Sequence, residues 1–199
     1  LDGTEIVMAA AGREIRTKVP LPGMHNVVNA LAAAACALAL GIDPEKISRG
    51  IADARFPGMR SEVIVHRGVS IINDSYNANP ASMKAALEVL VESPNTYRVA
   101  VLGDMLELGK EAEHWHAELG KWVAKAGVDR LVVTGEMART VADEALRQGM
   151  DPHSVRIALN HEEILGHLLD VLDRDAAVLV KASRGLHLDD VVTRLKAVG

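Results

Sequence analysis

A single cysteine, Cys36, in 199 residues excludes an internal disulfide and makes a reducing compartment compatible with the chain. It sits within an alanine run and reads as a small core residue. No apolar run reaches the roughly 18 residues of a membrane span. The nearest, LAAAACALAL at 31–40, is too short, so membrane insertion is not expected. The opening, LDGTEIVM, has neither a basic start nor an apolar h-region. It carries no signal peptide pattern and reads as the middle of a longer protein. A basic excess is also missing. Lys and Arg number 22 against 27 Asp and Glu, for a net charge of -5, which argues against a nucleic-acid binder. No Cys or His cluster has zinc-site spacing, and there is no Gly-x-Ser-x-Gly elbow. Nothing matches the phosphate-cradling G-x-x-x-x-G-K-[ST]. His114 and His116 are two apart and cannot share a helix face, so both are expected as partly exposed helix residues rather than metal ligands.

What is present is the mix of an ordinary globular protein, 49% hydrophobic and 25% charged. Strands are predicted at 5–9 and 14–19, joined by a turn at 11–12. A helix follows from Met24 to Leu40, stopped by Gly41. Asp43-Pro44 opens a second helix as N-cap and first-turn proline, running to about Ala54. FPGMRSE at 56–62 interrupts the pattern, and its Pro57-Gly58 pair marks a domain boundary between 1–57 and 58–199. Beyond it strands at 62–66, 69–73, 98–102, 130–134, 155–158 and 177–181 alternate with helices at 80–91, 110–126, 136–148, 162–172 and 188–197. VAVLG, LVVTG and AVLVKAS are continuous apolar runs, as strands buried on both faces require. The fold class is α/β, a Rossmann-like, mostly parallel sheet with helices on both faces.

Ligands of such sheets gather at the carboxyl ends of the strands. DSYNAN, GDMLELG, TGE and KASRG each follow a strand there. Asn79-Pro80 has the form of a helix start. Asp74 would then face the crevice, where a carboxylate suits a ribose diol and has little to hold when no ligand is bound. A cap alone leaves Asp74 and Tyr76 unexplained. Asn26 and Asn29, three apart on one helix face, match the edge of adenine or are a first-turn cap and a surface amide. Arg60 can meet a phosphate or pair with Glu62. Asp104 and Glu107 suit an amine substrate as an acidic pair, or favour a helix N-terminus. Lys181, Ser183 and Arg184 suit an anion such as a substrate carboxylate, or form a solvated basic loop.

Together these segments resemble the Mur ligase superfamily, and within it the branch that adds D-alanyl-D-alanine. GMHNVVNALAAAA resembles the family's G-x-HN-x-x-N helix, and FPGMRSE its arginine-bearing link. DSYNANPASM, GDMLELG and LVKASRGLHLDDVV match the motifs of the C-terminal domain. The chain departs from them at Ala182, where glycine is usual, and at Met59, which separates Gly58 from Arg60. The resemblance implies that 1–57 is the C-terminal portion of a P-loop-type central ATPase domain and 58–199 a complete C-terminal Rossmann-like domain. It implies a cytoplasmic, monomeric parent that uses ATP and Mg2+ to join D-Ala-D-Ala to UDP-MurNAc-tripeptide through an acyl phosphate. This is a step of peptidoglycan precursor synthesis. Asn26, Asn29, Arg60 and Asp74 would bind ATP. Tyr76, Asn77, Asn79, Asp104, Glu107, Lys181, Ser183 and Arg184 would bind or position substrate, with no catalytic residue assigned in this chain. The alternatives are a folylpolyglutamate-type ligase of the same superfamily and a non-catalytic nucleotide-binding or interaction domain.

Overall fold

Residues 1–10 and 12–198 are described in a computed structural model. They fall into two units, Leu1–Pro57 and Gly58–Gly199.

In the first unit β1 (Thr4–Ala10) and β2 (Arg13–Val19) pair antiparallel, with Thr4 opposite Val19. The expected turn at 11–12 includes Ala11, which lies outside the described residues. Alternation along the strands turns Ile6, Met8, Ile15 and Val19 to one face. They pack on Val27 and Ala34 of α1 (Met24–Ala39) and on Ile47 and Ile51 of α2 (Pro44–Ala52). Gly41 follows α1 in the left-handed region at φ 78°, and Asp43 caps α2 by accepting the Glu45 N–H at 3.0 Å. Cys36 is exposed, which corrects its reading as a core residue. It lies two positions past buried Ala34, roughly 200° around the helix and off the apolar stripe.

The second unit is built on a six-stranded sheet. Its strands are β3 (Glu62–His66), β4 (Val69–Asn73), β5 (Tyr97–Leu102), β6 (Arg130–Val133), β7 (Val155–Ile157) and β8 (Ala176–Lys181). Their spatial order is β3-β4-β8-β5-β6-β7, with β3 antiparallel to β4 and the remaining pairs parallel. The helices are α3 (Pro80–Val91), α4 (Ala112–Ala126), α5 (Ala138–Arg147), α6 (His161–Gly166) and α7 (Asp189–Ala197). On one face Val69, Ile71, Val99, Val101, Val178 and Val180 pack against Ile164 of α6 and against Val191 and Leu195 of α7. The alternate residues Ile72, Ala100, Leu102, Leu131 and Leu179 are buried towards the other face, where α3 meets β5 and β8, and α5 meets β6. Burial on both sides is why these strands read as unbroken apolar runs rather than as alternation.

The predicted helix at 162–172 is corrected. α6 ends at Gly166, and Leu169–Val171 is a separate 3-10 turn. Arg130 explains the break: its guanidinium takes the His167 carbonyl at 2.7 Å and grips the Asp170 carboxylate at 2.7 and 2.9 Å. That hydrogen bonding holds the Asp170 carboxyl below the usual carboxylate range.

Candidate functional site

Strands β4, β8, β5 and β6 lie side by side, and their carboxyl ends lead into residues 74–79, 182–188, 103–109 and 134–137. Sequence order doubles back here, because β8 inserts between β4 and β5. That makes the edge a topological switch point, where α/β sheets bind ligands.

Lys181 ends β8 and is 1% exposed. Its Nζ donates to Asp74 Oδ2 at 2.6 Å and to the Asn77 carbonyl at 2.8 Å. The other Asp74 oxygen, Oδ1, accepts the Ser61 N–H at 2.9 Å. The expectation that Asp74 has little to hold is therefore corrected: it is the counter-ion of a buried ammonium, which needs one. A carboxylate still has about four acceptor positions. With 15% of its side chain exposed, Asp74 remains open to a diol.

Tyr76 sits over the start of the unit. Its N–H donates to the Met59 carbonyl at 3.0 Å, and its ring lies 4.0 Å beneath the Arg60 guanidinium. Arg60 does not pair with Glu62, whose Oε2 instead accepts the Met59 N–H and the Asn73 amide, each at 3.1 Å. Met59 and Ser61 both occupy the left-handed region, at φ 68° and 48°. Met59, the residue that departs from the family's motif, thus supplies the turn that presents Arg60.

Asn79 closes a capping box on α3. Its side chain accepts the Ser82 N–H at 2.9 Å, and Ser82 Oγ accepts the Asn79 N–H at 3.0 Å, with Pro80 at the first helical position. Asn79→Ala should lower stability by about 0.5–2 kcal/mol. Urea unfolding checks this; an unchanged midpoint would remove the cap from the account.

Of the two readings of Asp104 and Glu107, Asp104 takes the helix-entry one. Asp104 is 6% exposed, and its carboxylate accepts the Glu136 and Met137 N–H groups at 2.7 and 3.0 Å, capping the entry to α5. Glu107 stands exposed at φ 64°. Ser183 likewise braces loops: its Oγ accepts the Leu106 N–H at 2.8 Å, and its N–H donates to the Asp104 carbonyl at 2.9 Å. The anion-binding trio is reduced accordingly. Lys181 and Ser183 are spent internally, while Arg184 is half exposed, with Asp189 at 3.2 Å and the Met59 sulfur at 2.9 Å. Ala182 fills space beside Gly103, where a β-carbon would come within 2.8 Å of its methyl.

His116 was expected to be partly exposed and is 1% exposed. Its Nε2 accepts the Met105 N–H at 2.9 Å, and Nδ1 lies 2.6 Å from the Ala112 carbonyl. An acceptor role at Nε2 and a carbonyl at Nδ1 are the arrangement of the Nδ1–H tautomer. The ring pins the GDMLELG loop. Its signal was periodicity: His116, Leu119, Gly120 and Val123 form the buried stripe of α4 at i, i+3, i+4, i+7.

In the first unit, Asn26 and Asn29 line one apolar groove of about 420 Å³, walled by Ala33, Ala37, Ile47 and Phe56. Asn26 commits its Nδ2 to the Pro22 carbonyl at 2.8 Å, while Asn29 is exposed.

The fold and the polar strand ends define an α/β domain of the kind that carries a ligand site at its switch point. Residues 59–184 match the family described as Mur ligase, glutamate ligase domain. The chain belongs to the Mur ligase family. It is 39% identical over 184 residues to the UDP-N-acetylmuramoyl-tripeptide--D-alanyl-D-alanine ligase of Bacillus subtilis, covering 89% of this chain and 39% of that protein. MurF from Acinetobacter baumannii superposes with a TM-score of 0.87 at 30% identity, over 98% of this chain and 43% of the other. The Thermotoga maritima MurF ligase solved in complex with ADP shares the fold, with a TM-score of 0.82 at 23% identity, over 98% of this chain and 44% of that one. The chain thus spans about two fifths of the length of these relatives. Among the described residues no helix is long and apolar enough to cross a membrane.

Proposed function

We propose that this chain is the C-terminal part of a cytoplasmic, ATP-dependent ligase that joins D-alanyl-D-alanine to a UDP-linked muramoyl tripeptide through an acyl phosphate. The observation that carries this reading is the 39% identity to the Bacillus subtilis ligase over 184 residues. On this reading residues 1–57 end a central ATPase domain and 58–199 form the C-terminal domain. Asn26 and Asn29 recognise adenine along the apolar groove that suits a flat base. Asp74 offers its remaining acceptor positions to the ribose, and Arg60 acts near the phosphates. Tyr76, Asn77, Glu107 and Arg184 position substrate, while Asn79, Asp104, Lys181 and Ser183 hold the loops that do so. Their joint contribution is orientation, which brings an amine and an activated acyl group to near-attack distance. ATP supplies the activation of the peptide carboxylate. Magnesium belongs on this reading to the whole parent, where it would be held chiefly by the phosphates of ATP and waters rather than by a protein cage.

The test is the amino-acid specificity of the full-length protein. ATP-dependent product with D-Ala-D-Ala, and none with L-glutamate and a folate acceptor, is the expected result; the reverse preference would replace the reading with the folylpolyglutamate-type one. Residues 1–199 alone should release no phosphate in response to D-Ala-D-Ala, since G-x-x-x-x-G-K-[ST] does not occur in them.

A further inference from the structure

One buried ammonium serves both the carboxylate and a loop carbonyl of residues 74–77. We propose that Lys181 is a positioning residue: it fixes the Asp74 side chain for the nucleotide and, through Asp74, holds the Met59–Ser61 turn that presents Arg60. Its functional consequence rests on the ligase reading above; its structural consequence rests on the geometry alone.

An aspartate has two side-chain torsions, and an unheld carboxylate at a strand end samples several rotamers. Here Oδ2 is fixed by Lys181 Nζ at 2.6 Å, and the same Nζ ties down the Asn77 carbonyl at 2.8 Å. With Oδ2 fixed, Oδ1 points at the Ser61 N–H, 2.9 Å away. Ser61 and Met59 are non-glycine residues at φ 48° and 68°, a conformation that persists only where neighbours impose it. The neighbours that do so are Asp74 Oδ1 on the Ser61 amide, the Tyr76 N–H on the Met59 carbonyl, and Glu62 on the Met59 amide. Between them lies Arg60, stacked on Tyr76. Lys181 is 1% exposed, and its ammonium is already engaged by Asp74 and the Asn77 carbonyl. Its effect on a ligand must travel through Asp74 and this turn.

The experiment is residue-resolved hydrogen exchange on the 199-residue chain carrying Lys181→Met. The Ser61 amide should exchange at least about tenfold faster beyond any common acceleration of Leu179 in β8 and Val101 in β5, which report the loss of global stability. A loss of sheet stability alone would speed all three together, and an unchanged Ser61 would leave Asp74 positioned without the lysine; either result overturns the proposal. If Lys181→Met does not fold, Lys181→Met/Asp74→Asn removes both charges. Ser61 should still lose about tenfold of its protection relative to Asp74→Asn alone, and equal protection overturns the proposal. The second arm is steady-state kinetics of the full-length protein with Lys181→Met. The KM for ATP should rise about tenfold or more, with the KM for D-Ala-D-Ala within about threefold of wild type. Equal rises in both, or none for ATP, overturn the nucleotide half. A wild-type protein with no ATP-dependent ligation refutes the ligase reading and leaves the exchange result to decide the positioning.

Discussion

Asp74→Ala should destabilise the 199-residue chain by about 3–5 kcal/mol, the cost of leaving one partner of a buried ion pair without the other. Lys181 keeps only 2% of its side chain exposed and Asp74 15%, so little solvent is available to replace the lost carboxylate. The same substitution orphans the Ser61 N–H and frees a residue held at φ 48°. Asp74→Asn should cost less, because an amide oxygen still accepts from the ammonium. Joining Asp74→Ala to Lys181→Met should recover much of the loss, since a pair removed together leaves no uncompensated charge. Urea denaturation of the four proteins, each with its m-value, decides the matter. A loss below about 1 kcal/mol for Asp74→Ala would mean that water or a rearranged loop solvates Lys181, and that the pair is not a structural unit.

This result separates two roles that look alike in the sequence. DSYNAN offers hydrogen-bonding groups at one junction, and composition alone does not sort them. Asn79 was legible as a cap because Asn-Pro at a helix start has one local meaning, and the capping box bears it out. The strand order around Asp74 was not legible. β8 is more than a hundred residues away in sequence, and nothing in AVLVKAS says that its lysine lies between β4 and β5 rather than at an edge. The α/β alternation and most strand positions could be read, because burial on both faces leaves continuous apolar runs. Contacts made by insertion of a distant strand could not. His116 is an intermediate case: its place on the buried stripe of α4 was in the sequence, but a histidine between apolar neighbours was discounted. The break after Gly166 was hidden because its cause, Arg130, is remote from it.

Gly135→Ala should cost about 3 kcal/mol or more, from backbone strain of roughly 1–3 kcal/mol and from damage to charge-assisted hydrogen bonds worth about 1.5–3 kcal/mol each. Gly135 sits at φ 106°, outside the range that L side chains adopt readily. A β-carbon there would lie 2.4 Å from Asp104 Oδ2 and 2.5 Å from both Oδ1 and Cγ. The carboxylate cannot retreat cheaply. It is buried, it accepts the Glu136 and Met137 amides, and its backbone carbonyl accepts the Ser183 N–H. Displacing it would uncap α5 and pull on residues 103–106, which His116 and Ser183 hold from the other side. The substitution therefore tests whether these strand ends behave as one rigid unit. Denaturant unfolding gives the energy, and exchange at the Met105, Leu106 and Met137 amides shows where it is felt. A loss of stability with faster exchange at all three is the expected pattern. A loss confined to Met137 would show that the GDMLELG loop is held by His116 and Ser183 without the Asp104 carboxylate, and that rigidity at this edge is local to each strand end.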